Sequence, residues 1–188
     1  MKNVYLLDTD IDVKPLYDEI DMENGWEKWS PNMKGHGSAF RHSSRQILLR
    51  HADASPTEVY SNYKALHKFL SWFEIIYGGE TVKASYYILP LSKKVDTHID
   101  GGMWHKNKDR FHLVLSGKYS YKVDCEKNIF EEGDLWWFDN KKIHSSHNIG
   151  TKIRISLVID VCNSHWRSLL YQKTNKKGLF NEQELFKI

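Results

Sequence analysis

Apolar residues recur at intervals of three and four at Val59, Tyr63, Leu66, Phe69, Leu70, Phe73 and Ile76. That period puts them on one side of an α-helix and predicts a helix with a single buried face. Ser55-Pro56-Thr57-Glu58 reads as its start, with Ser at the N-cap, Pro at the first position and Glu at the third. The helix is expected to end near Tyr77, where Gly78-Gly79 stops it. After Gly79 the period changes. Val82–Leu89, Arg110–Leu115, Tyr119–Val123, Leu135–Phe138 and Arg154–Val161 all read as strands, as does Gln46–Arg50 upstream. Turns fall at Gly117-Lys118 and Glu131–Asp134. Residues 1–35 are polar, with a short helix expected at Pro15–Ile20 and two tryptophans in Gly25-Trp26-Glu27-Lys28-Trp29. Two short helices are expected in the tail, around Trp166–Tyr171 and Glu182–Phe186. A run of short strands flanked by helices predicts a mainly β fold, a sandwich or jelly-roll barrel supported by helices. The organisation read from this is one domain over 1–188: helical and irregular support over 1–80, a β core over 81–162, and C-terminal helices over 163–188.

Composition changes this picture little. A net charge of +3 tolerates an anionic substrate but is too weak to argue for nucleic-acid binding by itself. Cys125 and Cys162, the two cysteines, form no CxxC and no disulfide framework, which favours a reducing compartment. No 18-residue apolar run and no signal-like apolar segment occurs, so a cytoplasmic protein away from the membrane is expected.

The candidate chemistry begins at His98-Ile99-Asp100. Residues two apart on a strand share a face, so both side chains reach one metal ion from one element. A third ligand must come from elsewhere, and His144 follows 46 residues after His98, just past the Leu135–Phe138 strand. Two histidines and a carboxylate occupy one face of an octahedral iron and leave positions open for other ligands. His147 rivals His144 for the distal position, and His105 rivals His98 for the proximal one. Arg154 lies ten residues after His144 and shares a strand face with Ser156, while Ile155, Leu157 and Ile159 take the other. An inward Arg and Ser need a partner, and a carboxylate suits both. The alternative is a solvent-facing Arg on an edge strand. Arg110 and His112 form a second basic pair on one strand face, suited to another carboxylate or to surface exposure. Tyr87, Trp104, Trp136 and Trp137 are candidate pocket walls, but by alternation Trp136 and Trp137 face opposite ways.

In this order the residues resemble the aspartyl/asparaginyl β-hydroxylase family of iron(II)- and 2-oxoglutarate-dependent oxygenases. The resemblance runs over Val82–Val161. It is carried by His98-Ile99-Asp100, Arg110-Phe111-His112-Leu113, the block from Phe130-Glu131-Glu132-Gly133-Asp134 through Leu135-Trp136-Trp137-Phe138-Asp139, then His144, and Arg154-Ile155-Ser156 leading to Asp160-Val161. It implies a double-stranded β-helix, cupin-like, with iron(II) on His98, Asp100 and His144. It implies that Arg154, with Ser156, anchors the far carboxylate of 2-oxoglutarate, and that Arg110 and His112 lie close to that co-substrate, with Tyr87 a further candidate contact to it from the pocket wall. The implied reaction uses O₂ to hydroxylate an unactivated C–H bond of an amino acid or of a side chain in a peptide or protein. Residues 1–80 match nothing in the family pattern and leave the substrate open.

Three other classes compete. A non-redox cupin-like metal-binding protein or isomerase shares the barrel and histidines, but has no need of Arg154. A zinc hydrolase suits the ligands, yet no HExxH pair supplies its base. A degenerate binding domain would not keep every ligand in order. A nucleobase or nucleic-acid hydroxylase is a lesser alternative, resting on the aromatic content and mild basic balance.

Overall fold

The computed structural model describes residues 2–23, 27–28, 44–51, 53–100 and 105–169, of which 27–28 are described by backbone alone. Among the described residues, eleven strands and two complete α-helices run in the order β1 (Val4–Asp8), α1 (Lys14–Asp18), β2 (Glu27–Lys28), β3 (Arg45–Arg50), α2 (Lys64–Tyr77), β4 (Glu80–Leu89), β5 (Lys94–His98), β6 (Lys108–Ser116), β7 (Tyr119–Val123), β8 (Glu126–Phe130), β9 (Leu135–Phe138), β10 (His144–Asn148) and β11 (Arg154–Cys162). The expected tryptophan pair, Trp104 and the helix around Glu182–Phe186 lie outside the described residues, while residues 166–169 are helical.

Two antiparallel sheets form. One is seven-stranded in the order β1-β9-β6-β11-β4-β3-β2, the other four-stranded in the order β5-β10-β7-β8. From β4 onward the chain passes between the sheets repeatedly, which is the winding of a double-stranded β-helix. Strand alternation builds two apolar layers. Phe111, Leu113, Leu115, Ile155, Leu157, Ile159 and Trp137 face outward from the large sheet onto Leu66, Phe69 and Phe73 of α2. Val114, Trp136 and Phe138 face inward onto Tyr119, Tyr121, Val123 and Phe130 of the small sheet. Trp136 and Trp137 thus point opposite ways, as alternation requires. The Trp136 indole stacks on Phe130 at 4.0 Å, filling the closed end of the barrel rather than the site.

Helix α2 starts later than its sequence suggests. Pro56 bridges to Arg50, the Thr57 N–H donates to the Leu49 carbonyl at 3.0 Å, and the Thr57 hydroxyl donates to the Leu48 carbonyl at 3.0 Å. The hydroxyl of Ser55 donates to Asp53 instead of capping a helix. Pairing with β3 therefore outcompetes helix initiation, a short 3-10 turn follows at Tyr60–Asn62, and Val59 stays exposed. The predicted stop holds: Gly78 has φ +68°, and a Cβ there would lie 1.9 Å from the His165 ring.

Candidate metal centre

His98 ends β5 and His144 opens β10, and the two are direct cross-strand partners. Asp100 lies two residues past the end of β5, off the strand, so its place is not set by alternation alone. Its N–H donates to the Asn140 carbonyl at 3.1 Å, which turns its side chain back over the two histidines. One donor atom from each of His98, Asp100 and His144 lies within 4.8 Å of the others. Both carboxylate oxygens take part: Oδ1 is 3.8 Å from His98 Nε2, and Oδ2 is 3.8 Å from His144 Nε2.

The tautomers are set by the backbone. His98 Nδ1 is 2.7 Å from the Asp96 carbonyl, and His144 Nδ1 is 2.8 Å from the Lys142 carbonyl. A carbonyl only accepts, so each Nδ1 carries the proton and each Nε2 keeps its lone pair facing the other donors. Metal–ligand bonds of roughly 2.1 Å hold two donors within about 4.2 Å of each other. On one octahedral face neighbouring donors stand about 3.0 Å apart, so the three groups fit one divalent cation once the donors close in by roughly 1 Å.

Charges around the site agree. Burial alone would raise the Asp100 carboxyl, but Arg110, then His144 and His98, hold it well below the usual carboxylate range. Burial lowers His144 to about 4 against the pull of Asp100, so the ring is neutral at physiological pH. Arg110 on β6 donates to Asp100 and also grips Asp160 on β11, through Nε at 2.6 Å and NH2 at 2.8 Å. His112 is pushed well below its ordinary value by burial, then by Arg154 and Arg110. Its Nδ1 has no hydrogen-bond partner among the described residues.

Arg154 is different in kind. It opens β11, is 4% exposed, and donates to the hydroxyls of Ser156 at 3.1 Å and Ser146 at 2.8 Å. Its guanidinium lies 4.0 Å over the Tyr119 ring. No ion pair forms between it and any described carboxylate. A buried cation served only by hydroxyls and a ring is incompletely compensated, and an anion is what completes it.

The structure brings His98, Asp100, His144, Arg110, His112, Arg154 and Tyr87 to one cavity inside the barrel, with Ser146 and Tyr121 beside them. Ser156 is buried behind Arg154 and orients it. His147 is one residue out of phase with Ser146 on β10 and half-buried on the other face, and His105 stands outside the triad. Sequence reasoning missed Asp160, Asn140 and Ser146. Asp160 had a signal, a carboxylate ending an aliphatic strand that follows Arg154. Asn140 and Ser146 had none until β10 was placed.

Among solved structures, this chain is similar to the cupin domain of Schizosaccharomyces pombe Cnp3, with TM-score 0.38 and 15% identity over 52% of this chain and 64% of that one. It is also similar to a predicted oxalate decarboxylase from Thermotoga maritima, with TM-score 0.45 and 16% identity over 74% of this chain and 94% of the other. KdgF from Halomonas sp. gives TM-score 0.42 and 13% identity over 74% and 89%. Likenesses this distant say nothing of substrate or reaction. No curated protein matches the chain. The family model described as aspartyl/asparaginyl beta-hydroxylase matches residues 17–164, which takes in every cavity residue named above and corrects the expectation that residues 1–80 match nothing in the family, since the likeness reaches upstream of Val82 to residue 17. The chain therefore belongs to the aspartyl/asparaginyl beta-hydroxylase family.

Proposed function

We propose that the protein is an iron(II)- and 2-oxoglutarate-dependent hydroxylase acting on an unactivated C–H bond of an amino acid or of an amino-acid side chain in a peptide or protein. The observation that carries this reading is Arg154, a buried cation without a carboxylate partner among the described residues, opening into the cavity that holds His98, Asp100 and His144. A dicarboxylate with one end at the triad and the other at Arg154 satisfies both. A non-redox metal-binding barrel has no use for this arginine. Membership of the family supports this substrate class.

Iron(II), which His98, Asp100 and His144 would hold, would supply with 2-oxoglutarate and O₂ the oxidising power for hydroxylation, the co-substrate being converted to succinate and CO₂. The chain's own residues bind and orient. His98 and His144 present Nε2 because their Nδ1 protons are committed to backbone carbonyls. Arg110 keeps Asp100 ionised, and Asp160 balances Arg110. Arg154 binds the far carboxylate, with the Ser156 and Ser146 hydroxyls and the Tyr119 ring holding the guanidinium still. Neutral His112 leaves the co-substrate's negative charge to the arginines. Counting iron(II), the two arginines, Asp100, Asp160 and the dicarboxylate, four positive charges meet four negative ones, so the loaded cavity is neutral. Tyr87 and Tyr121 wall the space and exclude water.

Anaerobic addition of iron(II) and then 2-oxoglutarate tests this reading. A weak visible charge-transfer band is expected, and Arg154→Met should need far more co-substrate to develop it. Iron binding without any band would move the protein to the non-redox class.

A further inference from the structure

Behind Asp100 stands a second layer of buried polar groups with no direct part in the reaction. Building on the triad as a metal site, we infer that Asp160 and Asn140 are positioning residues for the metal, Asp160 acting through Arg110 and Asn140 acting directly, and that together they fix the Asp100 carboxylate between the two histidine Nε2 atoms. Asp160 and Arg110 face each other across β11 and β6. The Asp160 carboxylate accepts from two of the three guanidinium nitrogens, Nε at 2.6 Å and NH2 at 2.8 Å. A guanidinium is planar, so gripping two nitrogens fixes the direction of the third. That third nitrogen, NH1, donates to Oδ2 of Asp100. Asn140, 1% exposed, reaches the same oxygen with Nδ2 at 3.5 Å, while its carbonyl accepts the Asp100 N–H at 3.1 Å. Asn140 precedes His144 by four residues, so one short connection carries a ligand and a clamp on another ligand.

Charge gives Asp160 a second effect. Arg110 alone would be a buried cation competing with a divalent metal for Asp100. With Asp160 bound, the pair is neutral and the Asp100 charge remains available to the metal. Sheet stability is a poor explanation for the pair, because a buried ion pair contributes little over well-packed apolar residues.

Cobalt(II) titration of the full-length protein, followed by its visible d–d bands, tests the inference without reference to turnover. Asp160→Asn should bind cobalt about 10- to 100-fold more weakly and alter the band intensities. Asn140→Ala should bind it about 2- to 10-fold more weakly. Because Asp160 works through Asp100, adding Asp160→Asn to Asp100→Ala should change affinity no further than about twofold. A folded Asp160→Asn protein with wild-type cobalt affinity overturns the inference, as does an equal loss with and without Asp100. If Asp160→Asn does not fold, Asn140→Ala decides, and unchanged affinity there is the negative result. Asp100→Ala retaining wild-type affinity would instead defeat the metal triad itself.

Discussion

Replacing Arg154 by Met separates a ligand anchor from a structural residue. In the free protein the guanidinium makes two hydrogen bonds to serines and one ring contact, and its burial is compensated by no described carboxylate. Met removes those contacts and also the desolvated charge. The two effects oppose each other, so the stability of the free protein should change by no more than about 1 kcal/mol. Co-substrate binding should behave differently. Removing one partner of a buried, hydrogen-bonded charge pair costs about 2–5 kcal/mol, or roughly 30- to 4000-fold in affinity. With 2-oxoglutarate at about 100 times its Kd, the manganese-loaded wild type gains about 2.7 kcal/mol, a rise in Tm of roughly 5–10 °C for a chain of this size. A variant weakened about 100-fold keeps about 0.4 kcal/mol at the same concentration, a rise of roughly 1 °C. Anaerobic thermal melts of both proteins, with and without co-substrate, read all four values. A variant that loses several kcal/mol when free yet shows the full co-substrate shift would refute the reasoning and make Arg154 a structural residue.

His98→Ala and Asp100→Ala should lose metal, measured by elemental analysis after dialysis, while His147→Ala keeps it; metal loss in His147→Ala would move the distal ligand. Stability of the metal-free protein should fall with acid. His144 and His105 are held to about 4, His144 chiefly by burial, His105 by burial and Arg110, and burial pushes His112 well below its ordinary value. Unfolded histidine takes its proton near 6.5, so stability is fully present above that pH and drains as pH falls toward 4. The carboxylates Asp100 and Asp160, held low when folded, continue the loss below that. A urea midpoint in EDTA that stays flat between pH 7 and 4 would contradict this. Gly79→Ala should cost at least about 1–3 kcal/mol by urea titration, because φ is +86° and a Cβ would lie 2.3 Å from the Cys162 carbonyl oxygen; a neutral substitution would show that the turn relaxes.

The strands that hydrophobic pattern reveals are those whose buried faces are apolar. β7 and β9 coincide with their expected ranges, and β4, β6 and β11 extend them by a residue or two. β5 and β10 escaped, and they carry two of the three candidate ligands, His98 and His144. β10, His-Ser-Ser-His-Asn, buries His144, Ser146 and Asn148, so its inward positions are polar and no period-two apolar signal exists. His98 and Asp100 were legible by spacing, though the reason assigned was wrong in part: β5 stops at His98, and the Asn140 carbonyl, invisible in a sequence, places Asp100. Arg154 and Ser156 were legible because their neighbours Ile155 and Leu157 alternate cleanly. The role of Arg110 was not, since its two carboxylate partners lie on other segments, Asp160 across the sheet and Asp100 beyond β5. Ser55-Pro56 misled because local capping chemistry lost to pairing with β3.

β5 is the edge of the small sheet and contributes no fully buried side chain. The hydrophobic effect therefore hardly retains it, and backbone pairing with β10 is its main attachment. A divalent ion held between His98 and His144, as proposed, would tie this marginal strand to its neighbour and close a 46-residue loop, restricting the unfolded chain as a covalent cross-link does. His98 and His144 meet only through a long-range contact of high entropic cost, so in the metal-free protein β5 is expected to open more readily than the strands buried in the core.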